Sequence, residues 1–159
     1  MENSTTVHHI LEKLESVNRQ FYRLLLIAGT SEKSRENIAE LLSIKIPAPI
    51  VNINLEVSRL LLELPEKQRP LHVPNILDAI IKSKPQHTFI FKNIELLFNA
   101  TLKTDPLQLF KHIARNKTLI VAWNGYSDGE FLIYAAPGHP DYKKYPDKSL
   151  NIIKLHDEF

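Results

Sequence analysis

The feature that most constrains this chain is a repeated exchange between short apolar runs and longer segments with helical spacing. Tyr22 to Ala28 is apolar almost throughout, as a strand covered on both faces must be. It breaks at Gly29 and gives way to Ser31–Leu42, where Ile38, Ala39, Leu41 and Leu42 recur with the spacing of one helix face. "APIVNINLE" reads as a second strand, bounded by Pro47 and Pro49. "VSRLLLEL" is a short helix stopped by Pro65, and "VPNILDAIIKS" is another with Pro74 near its first turn. "TFIFKN" is a third strand, and "IELLFNA" turns away from it. "DPLQLFKHIAR" is a helix with Asp105 as its cap and Pro106 at its first position. "TLIVAWN" is a fourth strand, "GYSDG" a turn and "EFLIYAA" a fifth strand. Such an order requires parallel strands joined by right-handed crossovers. The expectation is an α/β fold, a mostly parallel sheet of about five strands flanked by helices.

The two ends of the chain extend this unit rather than adding another. In front, Val7, Ile10, Leu11, Leu14, Val17 and Phe21 form one apolar stripe, which predicts an N-terminal helix over residues 1–20, with "NSTT" as capping candidates. Behind, residues 136–159 read as a proline-rich loop and a short terminal strand around Leu150 to Leu155. With no linker, repeat or low-complexity tract, residues 1–159 are expected to be a single domain without a lid.

Composition removes several classes of function. There is no cysteine, so disulfides, thiolate metal sites and thiol catalysis are excluded. The net charge of +2 permits contact with nucleic acid without arguing for it. The opening "MENSTTVHHILEKLESV" carries acidic residues and lacks the apolar centre of a secretory signal. No apolar run approaches the ~20 residues of a membrane span. A soluble, cytoplasmic protein with no membrane partner is expected.

In an open parallel sheet, ligands bind beyond the carboxyl ends of the strands. Gly29 to Ser34, Lys92 to Glu95, and Asn124 all fall there. Lys33 and Ser34 stand at a helix start, where a phosphate-binding loop keeps its lysine and hydroxyl. The glycines of that pattern are missing: Glu32 and Ile27 occupy their places. Only Thr30, Ser31 and Glu32 separate Gly29 from Lys33, where the pattern needs five residues. The third strand ends in Lys92 rather than in an aspartate for magnesium. An ordinary strand–turn–helix explains Gly29 and Glu32, since a glutamate suits a helix N-terminus.

Other patterns carry less chemistry. "GYSDG" matches a nucleophile elbow, which with His139, Asp141 and His156 suggests a hydrolase, but an elbow needs a strand-to-helix turn and both flanks here read as strands. A hairpin turn is the better reading. The histidines lack metal-ligand spacing, and His8 and His9 point to different helix faces, so no metal site is expected. Lys111, Arg115 and Lys117 flank a helix end, where cations suit the dipole. Lys143, Lys144 and Lys148, set among Tyr142 and Tyr145, form a small basic cluster that suits either a solvated loop or a DNA contact.

The strings "VSRLLLELPEKQRPLHVPNIL", "FIFKNIELLFNATLKTDPLQLFKHIARNKTLIVAWNG" and "YAAPGHPDYKKYP" give the chain, over nearly its whole length after residue 20, a resemblance to the BrxF family. These are small P-loop proteins of type 3 BREX phage-defence systems. The resemblance implies an ASCE-type nucleoside-triphosphatase core with the P-loop strand central in the sheet. It also implies work beside a methyltransferase, a large ATPase, a helicase and a phosphatase-like protein in discriminating foreign DNA. By position, Gly29, Lys33 and Ser34 become candidate phosphate contacts for ATP or ADP. Lys92 takes the place of the acidic magnesium residue, which leaves magnesium without its ligand. Glu95 and Asn124 become candidate catalytic positions, Asn124 as the asparagine that orients the attacking water. The leading expectation is a degenerate P-loop subunit that binds or scaffolds other BREX proteins, with Tyr142 and Tyr145 of "APGHPDYKKYP" as partner contacts. The alternatives are an ATP- or ADP-binding switch, or weak ATPase, with a short loop, and a DNA-contacting accessory module.

Overall fold

Strand β1 (Leu24–Gly29) is buried at all 6 of its residues and has a parallel neighbour on each edge. The computed structural model describes residues 2–135 and 138–155. The remaining elements are α1 (Glu2–Val17), α2 (Glu32–Lys45), β2 (Ile50–Asn52), α3 (Ile53–Leu61), α4 (Arg69–Lys82), β3 (Thr88–Lys92), α5 (Pro106–Ile113), β4 (Thr118–Ser127), β5 (Phe131–Tyr134), β6 (Lys143–Pro146) and β7 (Asn151–Lys154). Five strands run parallel in the order β2-β3-β4-β1-β7. β5 and β6 form an antiparallel ribbon that grows from the far end of β4. The chain is thus an α/β fold with a mostly parallel sheet flanked by helices.

The period of two along a strand divides the core into two clusters. Leu24, Leu26 and Ala28 of β1, Phe89 and Phe91 of β3, and Leu119, Val121 and Trp123 of β4 face one side. That side is covered by α3, α4, α5 and the ribbon. Leu25 and Ile27 of β1, Ile90 of β3 and Ile120 of β4 face the other, against α1 and α2. Val7, Ile10, Leu14 and Val17 supply the α1 stripe, and Ile38, Ala39 and Leu42 the α2 stripe.

The sheet has 7 strands rather than about five. The strand not read from the sequence is β6, taken from the proline-rich segment. Its burial pattern is almost wholly exposed, so no apolar alternation marks it. Pro146 closes it, at an edge position where a missing N–H is tolerated. α1 ends at Val17, short of residue 20, and it starts at Glu2, so the "NSTT" residues lie inside the helix rather than capping it. Phe21 falls beyond the helix and is 67% exposed. α3 begins directly after β2, because Asn52 Oδ1 accepts from the Leu55 N–H and caps it. α4 starts at Arg69, which leaves Pro74 inside the helix rather than near its first turn. Of the segments read from the sequence, Met1, Ala136, Pro137 and residues 156–159, including His156, lie outside the described residues.

Candidate functional site

All five parallel strands end on one edge of the sheet, and the residues singled out from the sequence gather along it. Gly29 and Asn124 lie directly opposite each other in the β1–β4 register. Only Thr30 and Ser31 separate β1 from α2. Ser31 is the helix cap: its Oγ accepts from the Ser34 N–H at 3.2 Å. That donor is one of the free helix-terminal N–H groups on which an anion would otherwise sit. Glu32 occupies the first turn, which adds negative charge at the same place. Lys33 is exposed, and Ser34 half-buried.

Sequence reasoning missed the residue that dominates this edge. Arg35 is 8% exposed, and its Nη1 donates to Gly29 O at 2.7 Å and to Asn124 Oδ1 at 3.3 Å. The guanidinium therefore joins the ends of β1 and β4 from α2. The signal for it was present. Arg35 lies three and four residues before Ile38 and Ala39, on the buried face of α2, so it is a cation at a position where the pattern asks for an apolar side chain. A buried guanidinium persists only when its donors are engaged.

One residue further along α2, Glu36 Oε1 lies 3.9 Å from Lys92 Nζ at the end of β3. The charge signs are inverted relative to a magnesium site, with the cation on the strand and the carboxylate on the helix. Both side chains are partly exposed, so the pair contributes under about 1 kcal/mol. Glu95 opens the 3₁₀ turn Glu95–Phe98 and is held by its neighbours on α3. Asn54 Nδ2 donates to Glu95 Oε2 at 3.2 Å, while Asn54 Oδ1 accepts from Leu96 N at 2.8 Å. Asn93, which leads into this turn, takes a left-handed φ of 52° and accepts from Asn54 N. Tyr134 marks where these groups converge. Its hydroxyl is pushed up to about 12, first by burial and then by the charges of Glu95 and Asp141, with Arg35 acting in the opposite direction. Its ring stacks on Phe98 at 3.6 Å between centroids.

The structure brings Gly29 and Asn124 together, around an arginine rather than around Lys33. A triphosphate with magnesium needs free backbone donors, room over the loop and an acidic ligand. Here the loop is two residues, Ser31 takes up a donor, Arg35 bridges the ends of β1 and β4, and β3 ends in Lys92 rather than in an acid. These residues do not fit that group. Among the described residues there is also no cluster of three His, Cys, Asp or Glu able to hold a metal ion.

The tyrosines divide. Tyr145 Oη donates to Asp105 Oδ1 at 2.8 Å, and the same oxygen caps α5 through Leu107 N at 3.2 Å. Its ring meets Trp123 edge to face at 5.9 Å. Burial first, and then the Asp105 bond, raise its hydroxyl well above the usual tyrosine range. Tyr145 thus has an intramolecular job, fastening β6 to α5. Tyr142 is half-buried, with its N–H bonded to His139 O at 3.0 Å.

"GYSDG" forms the β4–β5 hairpin, with Tyr126 opposite Ile133 and Ser127 opposite Leu132. Asp128 Oδ1 accepts from the N–H groups of Glu130 and Phe131, and these bonds hold its carboxyl below the usual range. No helix follows, so there is no nucleophile elbow. Lys144 Nζ sits 4.0 Å from the centre of the Phe131 ring on the ribbon. Lys111, Arg115 and Lys117 lie at the opposite, amino-terminal edge of the sheet, beside the starts of β1 and β4.

No protein-family model, no curated protein and no solved structure matches the chain. No helix among the described residues is long and apolar enough to cross a membrane.

Proposed function

We propose that this chain is a P-loop-like domain, of the ASCE type, whose nucleotide site is closed by its own side chains and which serves as a binding or scaffold subunit in a BREX-type phage-defence assembly. The observation that carries the reading is Arg35, buried between Gly29 and Asn124. Its Nη1 is committed to Gly29 O and Asn124 Oδ1, which ties the end of β1 and the asparagine side chain to the fold itself. The order of the strands supports the class. β4 lies between β1, which leads into the loop, and β3, which ends at Lys92, and an additional strand in that place is what gives ASCE proteins their name. The assembly itself rests on the resemblance of the quoted segments to BrxF proteins.

Co-expression with the other components of a type 3 BREX system tests the role. A stable complex that forms equally with and without ATP supports the scaffold. A complex that forms only with ATP supports a switch, and no complex with any component sinks the assembly reading. The switch has one feature in its favour: Lys33, exposed in the first turn of α2, makes no hydrogen bond or ion pair among the described residues.

A further inference from the structure

At the edge of the sheet opposite Arg35, two aromatic rings stand in the open among cations. Phe21 is 67% exposed and Tyr22 41%, in the short connection between α1 and β1. The rings meet edge to face, with centroids 4.8 Å apart. Each carries a cation: the Arg115 guanidinium, just past α5, lies 5.4 Å from the Phe21 ring, and the Lys111 ammonium, in the last turn of α5, 5.8 Å from the Tyr22 ring. A core has no use for rings so exposed, and helix C-termini account for the cations but not for the aromatics.

The charge of this edge is one-sided. Residues 18–23 and 111–117 meet here and hold Arg19, Arg23, Lys111, Arg115 and Lys117 without one Asp or Glu, while in the turn before β7 Lys148 is next to Asp147. The whole chain balances 20 Lys and Arg against 18 Asp and Glu, so a block of cations without an acid is a local concentration. One of them is incompletely satisfied. Arg23 Nη2 donates to Arg115 O at 3.0 Å, while its Nε is buried with no partner. Beside the rings is a cavity of about 260 Å³, bordered by Phe21, Tyr22, Lys111, Gln20, Leu150 and Asn151. It is smaller than the ~300–1,000 Å³ of pockets that take a whole cofactor or drug-sized ligand, and suits a single flat ring. At its rim the amides of Gln20 and Asn151 bond each other at 2.8 and 3.2 Å, and Asn151 Nδ2 also donates to Leu24 O at 3.1 Å, so the rim is fixed from within.

We infer that this edge binds single-stranded nucleic acid. A base stacks on the exposed face of Phe21 or enters the cavity beside Tyr22, and Arg19, Lys111 and Arg115 take the flanking phosphates. Exposed rings with interleaved cations are what an unpaired strand requires, since every base has a face to stack and every linkage a charge. A duplex hides its bases and offers only the charge. This surface is independent of the closed site at the other edge, and of the basic residues on the ribbon.

The test is fluorescence anisotropy of the 159-residue chain with labelled oligo-dT, oligo-rU and a DNA duplex, each about 12 nucleotides long, a span within the usual single-strand site range. The inference expects at least one single strand to bind more tightly than the duplex, and the two homopolymers separate DNA from RNA as the natural ligand. Phe21→Ala with Tyr22→Ala should weaken single-strand binding by roughly tenfold or more, and Phe21→Trp should retain it. Lys111→Ala with Arg115→Ala should lower the slope of log affinity against log salt by about 1 to 2. Should the double aromatic variant melt early, Phe21→Ala alone carries the test, because that ring is mostly in solvent. The inference is overturned by failure of the wild-type chain to bind either single strand, which would leave the patch to a protein partner. It is equally overturned by a duplex that binds as tightly as the single strands, or by aromatic variants that bind as wild type does.

Discussion

Arg35 and Asn124 are separated by 89 residues and joined by one hydrogen bond, 3.3 Å from Nη1 to Oδ1, across the ends of two neighbouring parallel strands. The same Nη1 holds Gly29 O. Asn124 is the residue that an NTPase reading makes a sensor of attacking water, and here its side-chain oxygen is engaged by a cation of the fold itself. The cluster therefore has a measurable structural role. Arg35→Ala should cost about 2–3 kcal/mol, since bonds from a charged donor are lost and the Gly29 carbonyl is left buried. Asn124→Ala should cost about 1 kcal/mol, because Arg35 keeps its bond to Gly29. The two costs should fall short of additive by at least about 0.5 kcal/mol in a urea-denaturation cycle. Additive costs would mean that the bond contributes nothing.

Gly125 is required by a close approach. A Cβ there would lie 1.9 Å from Ile133 O on β5, so Gly125→Ala must push the hairpin apart. The expected loss is about 3 kcal/mol, at the upper end of overpacking costs. Gly129 gives the contrast: its φ is +98° with nothing near a Cβ, so Gly129→Ala should cost only the strain of the turn, about 1 kcal/mol. Thermal or urea unfolding of the two variants ranks them, and equal losses would contradict the hairpin packing.

Tyr145 and Tyr142 should separate in the same assay. Tyr145→Phe removes the Asp105 bond and should cost about 1 kcal/mol, while Tyr145→Ala also strips the contact with Trp123 and should cost roughly 2–4 kcal/mol. Tyr142→Ala should cost less than Tyr145→Ala. A Tyr145→Ala protein that melts like wild type would return that residue to the role of a surface contact.

The stability of the fold should fall in alkali with a defined sign. The Tyr134 hydroxyl is raised from 10.0 to about 12 in the folded chain, chiefly by burial. The folded state thus keeps its proton where the unfolded state has lost it. The stability this gives is fully present below pH 10 and declines as the pH climbs through about 12. Unfolding free energies measured across that window should drop less steeply for Tyr134→Phe than for wild type. Identical slopes would place the titration elsewhere.

Much of the fold was legible in the sequence, and the exceptions have physical causes. β1, β3 and β4 lie between two layers of helices, so their runs are apolar on both faces and cannot be mistaken for loops. α5 announced itself through Asp105 and Pro106 at its start. β6 was not legible, because the exposed "KKYP" buries only part of one ring. The end of α1 was misplaced because Phe21 continues the apolar stripe in spacing while its ring sits in solvent. At the candidate site, Lys33 and Ser34 drew attention by matching a motif, whereas the buried cation is the next residue along. Its role depends on Gly29 and Asn124 being opposite each other, a relation of register between strands that no local pattern records.

On the proposed reading, Arg35 and its partners leave no working phosphate loop. Isothermal titration of the isolated chain with ATP, in the presence and absence of magnesium, decides the matter, with Arg35→Ala and Lys33→Ala titrated alongside. The wild-type chain should give no saturable heat under either condition. Saturable binding by the wild-type chain that is strengthened by magnesium and lost in Lys33→Ala would contradict it, and would make this domain a working nucleotide switch.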